Sequence, residues 1–157
     1  MVASLLIKPM TSQELFLKAV EKNPKIRIQD VRAILRSMEE LGFVRILNPS
    51  SVTGRLYVLV DESDLDPEFD WNLYAWVIRG KARKAILEEI GRIGLHGFEP
   101  KTASEVKKNL KEKYSISLNS VIDTIRDLKA KELISCFSGR KYRLTESGVG
   151  IVEQIHV

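Results

Sequence analysis

Hydrophobic residues recur every three or four positions in two long segments, and two short runs of strand-like composition follow each segment. Such spacing places side chains on one face of a helix, so both segments predict amphipathic helices. The apolar faces comprise Val31, Ile34, Leu35, Met38 and Leu41 in one helix, and Val121, Ile122, Ile125 and Leu128 in the other. Two antiparallel hairpins are predicted, from the runs 43–47 and 55–60 and from the runs 133–137 and 141–144.

The whole pattern occurs twice, which indicates an internal duplication. The block that begins at Pro9 is echoed 91 residues later at Pro100. The displacement is 90 for the long helices and 85 for the second strands, where Gly54-Arg55 returns as Gly139-Arg140. One residue is lost between the two helices and five are lost from the loop between the strands, so the second hairpin is predicted to have the tighter turn.

Local signals indicate where the helices begin and end. Thr11-x-x-Glu14 and Thr102-x-x-Glu105 are predicted capping boxes, in which a hydroxyl and a carboxylate satisfy free backbone N–H groups at a helix start. The second of these helices is predicted over 103–113. Gly42 is predicted to end the long helix of the first copy, because glycine adopts the left-handed backbone conformation that often follows a helix.

A helix, a second helix and a hairpin form a winged helix-turn-helix once a leading helix is added. That helix is predicted over 71–93 in the second copy, with a break at Gly80, whereas only residues 2–8 precede the first copy. The predicted fold is therefore mainly α with small β-hairpin wings, an α+β tandem winged helix-turn-helix. Its predicted parts are a first module over 1–62, an acidic linker over 63–70, and a second module with a C-terminal helix over 71–157.

Charge is distributed unevenly along the chain. Residues 1–60 carry a net charge of +4, residues 61–70 carry −6 and residues 71–157 carry +6, giving the net +4 of the whole chain. Two basic modules thus flank an acidic connector, and basic surfaces attract polyanions such as nucleic acid. Moderately basic surfaces also occur on proteins without such a partner, so charge alone leaves the partner open.

Composition narrows the function classes. The 157 residues are 44% hydrophobic and 29% charged, as in an ordinary globular protein that is expected to stay in the cytoplasm. No apolar run approaches the roughly 18 residues of a membrane span. The single cysteine, Cys136, and the distant His96 and His156 offer no metal-ligand set. No nucleophile or phosphate-binding loop stands at a catalytic spacing, so we expect no enzyme activity and no cofactor.

Three stretches carry motifs that resemble a known family. They are Leu47-Asn48-Pro49 with Gly54-Arg55-Leu56-Tyr57, Trp71-Asn72-Leu73-Tyr74-x-Trp76 up to Gly80, and Tyr142-Arg143-Leu144-Thr145-Glu146-x-Gly148. Together they resemble archaeal winged helix-turn-helix transcription regulators of the MarR and ArsR types. The resemblance implies a DNA-binding regulator. The short first helix and the short second wing depart from the family pattern, so equal DNA engagement by the two modules is not implied.

In a winged helix-turn-helix, the outer residues of the long helix read base edges in the major groove. In the first module these candidates are Gln29, Asp30, Arg32 and Arg36, with Arg55 on the wing directed at the backbone or minor groove. Arginine can bridge guanine, glutamine adenine, and aspartate can accept from cytosine. The alternative is an ordinary solvated face, with Asp30 favoured at a helix N-terminus by its charge.

The second module offers a weaker set. Its candidates for DNA contact are Asn119, Ser120, Arg126, Arg140, Lys141 and Arg143. Arg126 follows Arg36 by 90 residues, at the matched position of the helix. Asn119 and Ser120 are equally suited to an N-terminal cap, and Ile122 suits a thymine methyl or a protein contact. Strand alternation predicts that Tyr142 and Leu144 point inward.

The predicted function is a sequence-specific transcription regulator that binds double-stranded DNA. A homodimer is expected through the apolar faces of 71–93 or 151–155, and no membrane partner is expected. The alternative is a tandem winged-helix module that docks onto another protein in a chromosome or transcription complex. No effector is identified: Trp71, Tyr74 and Trp76 could line a pocket, but such a cluster is more often core or a dimer seam.

Overall fold

The computed structural model describes residues 5, 6, 8–60, 68–92, 100–111, 113–137 and 139–156. Residues 61–67, which include most of the predicted acidic linker, lie outside the described residues. The chain divides into two compact units, Met1–Trp76 and Val77–Val157. The first unit therefore includes the start of the helix at Trp71, which the sequence pattern groups with the second module.

The first unit combines helices with a three-stranded antiparallel sheet. Its elements are β1 (Met10–Thr11), α1 (Ser12–Lys22), α2 (Ile28–Glu40), β2 (Val44–Ile46), β3 (Leu56–Leu59) and the beginning of α3 (Trp71–Arg79). The strand order is β1-β3-β2. Sequence periodicity identifies β2 and β3 within one or two residues, but β1 was not predicted.

The helix ends of the first unit follow the predicted chemistry. At the start of α1, Glu14 N–H donates to Thr11 Oγ1 at 3.2 Å and Thr11 N–H donates to Glu14 Oε1 at 3.0 Å, which confirms the capping box. At the end of α2, Gly42 has a φ of 78°. Phe43 N–H then donates to the Met38 carbonyl at 2.9 Å, a pattern that ends the helix as predicted.

The core of the first unit lies between α1, α2 and the sheet. It contains Leu5, Leu6, Met10, Leu15, Ala19, Val31, Leu35 and Val44. The apolar face predicted for α2 was too wide, because Ile34 is 38% exposed and Leu41 is 71% exposed. Only Val31 and Leu35 of that predicted face are fully buried, with Met38 partly buried against the core.

The second unit repeats the two helices and the hairpin of the first, with one further helix before them and another after them. After the end of α3, its elements are α4 (Lys81–Ile90), α5 (Ala103–Leu110), α6 (Leu118–Ala130), β4 (Ile134–Phe137), β5 (Lys141–Leu144) and α7 (Glu146–Ile155). The break predicted at Gly80 separates α3 from α4. The helix predicted to extend to residue 113 ends at Leu110. Val121, Ile125 and Leu128 of α6 are buried as predicted, whereas Ile122 is 40% exposed.

One backbone pairing is common to both units and supports the duplication. In the first unit Met10 pairs with Tyr57 in an antiparallel register. In the second, Lys101 and Tyr142 form an isolated antiparallel bridge in which each backbone nitrogen donates to the other residue's carbonyl oxygen, with N···O distances of 2.9 Å and 2.7 Å. Lys101 follows Met10 by 91 residues and Tyr142 follows Tyr57 by 85, the displacements found in the sequence.

The motif around Thr145 connects the second hairpin to α7. Thr145 Oγ1 accepts from Gly148 N–H at 3.1 Å and donates to the Glu132 carbonyl at 2.6 Å. A Cβ atom at Gly148 would overlap the carbonyl oxygen of Leu133. The Thr-x-x-Gly spacing thus serves a cap and a close approach of two backbone segments.

The predicted class, mainly helical with small antiparallel sheets, is confirmed. Within the described ranges, no helix has the length and apolar character needed to cross a membrane.

Candidate nucleic-acid interface

The outward side of α2 carries most of the candidates of the first unit. Gln29, Arg32 and Arg36 are exposed, while Val31 and Leu35 anchor the opposite side of the helix in the core. Positions three or four residues apart lie one above the other on the same side of a helix, and so do positions seven residues apart, which are about two turns apart. The three polar side chains therefore form one outward strip, as the sequence predicts.

Asp30 is hydrogen-bonded to Arg27, the residue directly before α2. Its Oδ2 accepts from Arg27 N–H at 2.9 Å, and its Oδ1 lies 3.3 Å from Arg27 Nη2. The hydrogen bond from the Arg27 side chain, followed by the one from its backbone, lowers the pKa of the Asp30 carboxyl below its usual value. The carboxylate thus accepts hydrogen bonds at the N-terminus of α2, where the sequence predicts that a negative charge is favourable. To accept from cytosine as well, it would have to bind the base in addition to Arg27.

The first wing is a structured loop between β2 and β3. Buried Asn48 accepts from Leu56 N–H at 2.6 Å through its Oδ1 and donates from Nδ2 to the Gly54 carbonyl at 3.1 Å. Gly54 has a φ of 67°. Exposed Arg55 donates from Nε to the Ser51 carbonyl at 2.8 Å, so its guanidinium is tethered to the loop.

The start of α6 differs from the prediction. Its cap is Ser117, whose Oγ accepts from Ser120 N–H at 3.2 Å and donates to Ser120 Oγ at 2.9 Å. Neither Asn119 nor Ser120 is the N-cap, because both lie inside the helix, and that interpretation was wrong. Both side chains are exposed, next to exposed Ile122.

Arg126 lies on the outward side of α6, at the position that matches Arg36 in α2. Its Nη1 lies 3.4 Å from Asp123 Oδ1, and both side chains are largely exposed. Such a surface pair is worth about 0–1 kcal/mol, so exchanging the carboxylate for another anion is energetically easy.

The second wing is short and carries exposed cations. Arg140 has a φ of 61° in the turn, and Lys141 and Arg143 are exposed on β5. Tyr142 and Leu144 are partly buried, which confirms the predicted alternation. The guanidinium carbon of Arg143 lies 4.7 Å from the centre of the Phe137 ring, so that arginine lies along the hairpin surface.

The surfaces predicted to pair two chains are largely covered. Buried positions include Trp71, Tyr74, Ile86, Ile90, Ile151 and Ile155. Phe69, Trp71 and Tyr74 form an edge-to-face cluster with ring centres 4.6 to 6.1 Å apart. Burial, with a smaller contribution from Glu14, raises the pKa of Tyr74 to about 12. The aromatic cluster is thus part of the core. Because these apolar positions are already buried within one chain, they give no reason to expect a dimer.

A cavity of about 840 Å³ lies elsewhere, within the second unit. Its lining includes Ala85 and Glu89 of α4, Tyr114, and Val149 and Val152 of α7. Buried Glu89 accepts from Asn109 Nδ2 at 2.9 Å and is 3.8 Å from Arg92 Nη1. The described residues include no group of three or more side chains suited to holding a metal ion.

Two structural residues of the interface were missed from the sequence. The motif that contains Asn48 does not reveal its bonding role, although an asparagine between two strands is a turn signal. Ser117 was overlooked, although a serine directly before an apolar periodic run is a helix-start signal.

Comparison with known proteins adds no assignment. No family model and no curated protein matches the sequence. The resemblance to MarR-type and ArsR-type regulators therefore stays a prediction from the motifs.

Proposed function

We propose that this chain is a sequence-specific transcription regulator that binds double-stranded DNA through two tandem winged helix-turn-helix modules. The repeated element order supports this proposal, together with the equivalent strand pairings at Tyr57 and Tyr142. In this arrangement α2 and α6 enter the major groove, and the hairpins that follow them lie against the backbone or minor groove.

The observation that carries the proposal is the matched pair of exposed arginines. Arg36 and Arg126 lie 90 residues apart in sequence, each on the outward side of the helix that precedes a hairpin. A guanidinium there can bridge the two acceptors of a guanine. Gln29 and Arg32 extend the first reading surface, and Asn119 and Ser120 extend the second.

The wings have different tasks in this proposal. Tethered Arg55 presents a cation from the long first loop, where it contacts phosphate or the minor groove. Arg140, Lys141 and Arg143 lie in or beside a tight turn, so they contact only nearby backbone.

The decisive experiment compares arginine variants of the full chain on a site selected from random duplexes. Arg36→Ala is expected to weaken binding by about 1–3 kcal/mol and to relax base preference at one position. Arg55→Ala is expected to weaken binding to all sequences alike. Lys22→Ala, which removes an exposed cation in the last turn of α1, outside both reading helices and both wings, is the control. Unchanged binding of every tested site by Arg36→Ala would rule out α2 as the reading helix.

The number of chains on each site follows from the same proposal. One chain already carries two reading helices, and dimeric helix-turn-helix proteins place theirs about one DNA turn, roughly 34 Å, apart. A homodimer on a palindrome is the other arrangement, although the apolar faces that suggested it are buried. Native mass spectrometry of the complex decides between one chain and two.

Protein docking is the second candidate, and exposed apolar residues of the first unit favour it. Leu17, Leu41 and Phe43 are 57%, 71% and 61% exposed. Salt separates the two candidates, because DNA binding releases counterions and weakens steeply as salt increases. Affinity for duplex DNA that does not change between low and moderate salt would favour docking.

A further inference from the structure

A groove lined by lysines lies beside the start of α6 in the second unit. Its volume is about 620 Å³, and Lys107, Lys108 and Lys111 contribute from α5 and its C-terminal end. Ser104 and Ser117 also line it, and Ser117 is the residue that caps α6. None of these five residues belongs to the interface predicted from the sequence.

Among the described residues, no ion pair balances the charges in the groove. All three lysines are exposed, the described lining includes no carboxylate, and none of the ion pairs found among the described residues involves these lysines. Lys107 and Lys111 are four residues apart, a spacing at which like charges repel across a helical turn. A bound anion would remove that repulsion.

The start of α6 adds to the positive character of the groove. Ser117, the N-cap of this 13-residue helix, lines the groove, and the N-terminal end of a helix is the positive end of its dipole. Phosphate oxygens are well suited to a place between lysine ammonium groups and a helix N-terminus. The lysine cluster and the helix start therefore favour the same ligand.

The first unit shows that the fold itself does not require these lysines. Counting back 91 residues, the positions of Lys107, Lys108 and Lys111 are taken by Phe16, Leu17 and Val20 of α1. The same pair of helices is thus built with apolar residues in one unit and cations in the other. Complementing the dipole at the C-terminal end of α5 is the alternative use of these lysines, and it predicts effects on stability alone.

We infer that the lysine groove binds a phosphodiester of the DNA backbone without regard to base sequence. The inference rests on the proposed function and assigns the second unit a backbone-anchoring task in addition to reading. The contact lies immediately before the second reading helix, so it also fixes how far α6 enters the major groove.

The test measures the salt dependence of DNA binding by the full chain. The triple variant Lys107→Gln/Lys108→Gln/Lys111→Gln is expected to lower the slope of log K against log salt by about 0.9 for each phosphate released. It should weaken binding to specific and random duplexes equally. The matched control, Lys84→Gln/Lys113→Gln/Lys129→Gln, makes the same charge change in the second unit outside the groove and should leave the slope nearer the wild-type value. The triple Lys→Arg variant should restore the slope.

Each outcome has one meaning. Equal slopes for the groove and control variants, with DNA binding retained, would overturn the groove and leave the proposed function standing. Absence of duplex binding by the wild-type chain would overturn both. Inorganic phosphate is also titrated into both chains while the amide signals of Ser117 and Ser120 are followed. If these signals shift in the wild-type chain but not in the groove variant, and the variant keeps the wild-type DNA slope, the groove binds a free phosphorylated ligand and the DNA assignment is wrong.

Discussion

Helices α1 and α5 occupy equivalent places in the two units but present opposite chemistry to solvent. Leu17 of α1 is exposed where α5 has Lys108, although both helices begin with the same Thr-x-x-Glu sequence. Buried Leu15 and Ala19 hold α1, and buried Val106 and Leu110 hold α5. A cap and two buried positions are enough to place such a helix, which leaves its outer side free to diverge.

The two hairpins also occupy equivalent places but are built differently. The first has a long loop organised by the side chain of Asn48, whereas the second has a short turn with Gly139 and Arg140 at positive φ. Side-chain bonds stabilise one wing and backbone geometry stabilises the other. The two units should therefore respond to different mutations.

The largest expected effect concerns where the first unit ends. Trp71 and Tyr74 are 7% and 1% exposed and belong to the first unit, so a fragment of residues 1–62 lacks part of its cover. Burying one large side chain contributes about 1.5–3 kcal/mol, a large share of the stability of so small a unit. We expect residues 1–62 to be unfolded and residues 1–80 to show a cooperative thermal transition by circular dichroism. Identical melting curves for the two fragments would show that residues 63–80 do not stabilise the first unit.

Gly148→Ala should damage the second unit alone. The added methyl group overlaps the Leu133 carbonyl, and relieving that overlap must move backbone at a cost of about 3 kcal/mol. Urea denaturation measures the loss, and hydrogen exchange locates it in β4 and α7. Ser147→Ala, at an exposed position of the same helix, is the control and should change stability little.

Asn48→Ala should damage the first wing alone. It removes two hydrogen bonds and leaves the buried Leu56 N–H without its acceptor, at an expected cost of about 1–3 kcal/mol. Hydrogen exchange at Leu56 should accelerate while exchange in α6 stays constant. Equal acceleration in both units would show that they unfold together.

The smallest effect is confined to alkaline pH. Because the pKa of Tyr74 is raised from 10.0 to about 12, the unfolded chain loses this proton first. Stability from the buried neutral phenol is full below pH 10 and is lost as pH rises towards about 12. Tyr74→Phe should therefore lose less stability than wild type between these values. Parallel pH profiles of the unfolding midpoint would show that Tyr74 contributes nothing to them.

Much of the fold was predictable because its signals are local. The Thr11 capping box, the turn at Gly42 and the break at Gly80 depend on residues within a few positions of one another. Strand β1 was missed because two residues have no periodicity, and Met10 becomes a strand only by pairing with distant Tyr57. The width of the apolar face of α2 was overestimated because periodicity does not reveal how far neighbouring elements extend over Leu41.

The candidate interface was predictable to the extent that it follows from helix periodicity. Arg36 and Arg126 are exposed because the buried positions on each helix determine the outward side. The bonds from Arg27 to Asp30 could not be predicted from the sequence, because they depend on the conformation of the backbone before α2. The lysine groove could not be recognised, because Lys107 and Ser117 become neighbours only when α5 packs beside the start of α6.

The exposed thiol of Cys136 on β4 has a practical consequence for any study of assembly. It is the sole cysteine among 157 residues, so a maleimide dye attaches there without any mutation and places a fluorescent reporter on the second hairpin. The same thiol can join two chains through an intermolecular disulfide when no reductant is present. Such a covalent pair would imitate a homodimer on a gel or in a mass spectrum, and a Cys136→Ser chain distinguishes the oxidation product from genuine assembly.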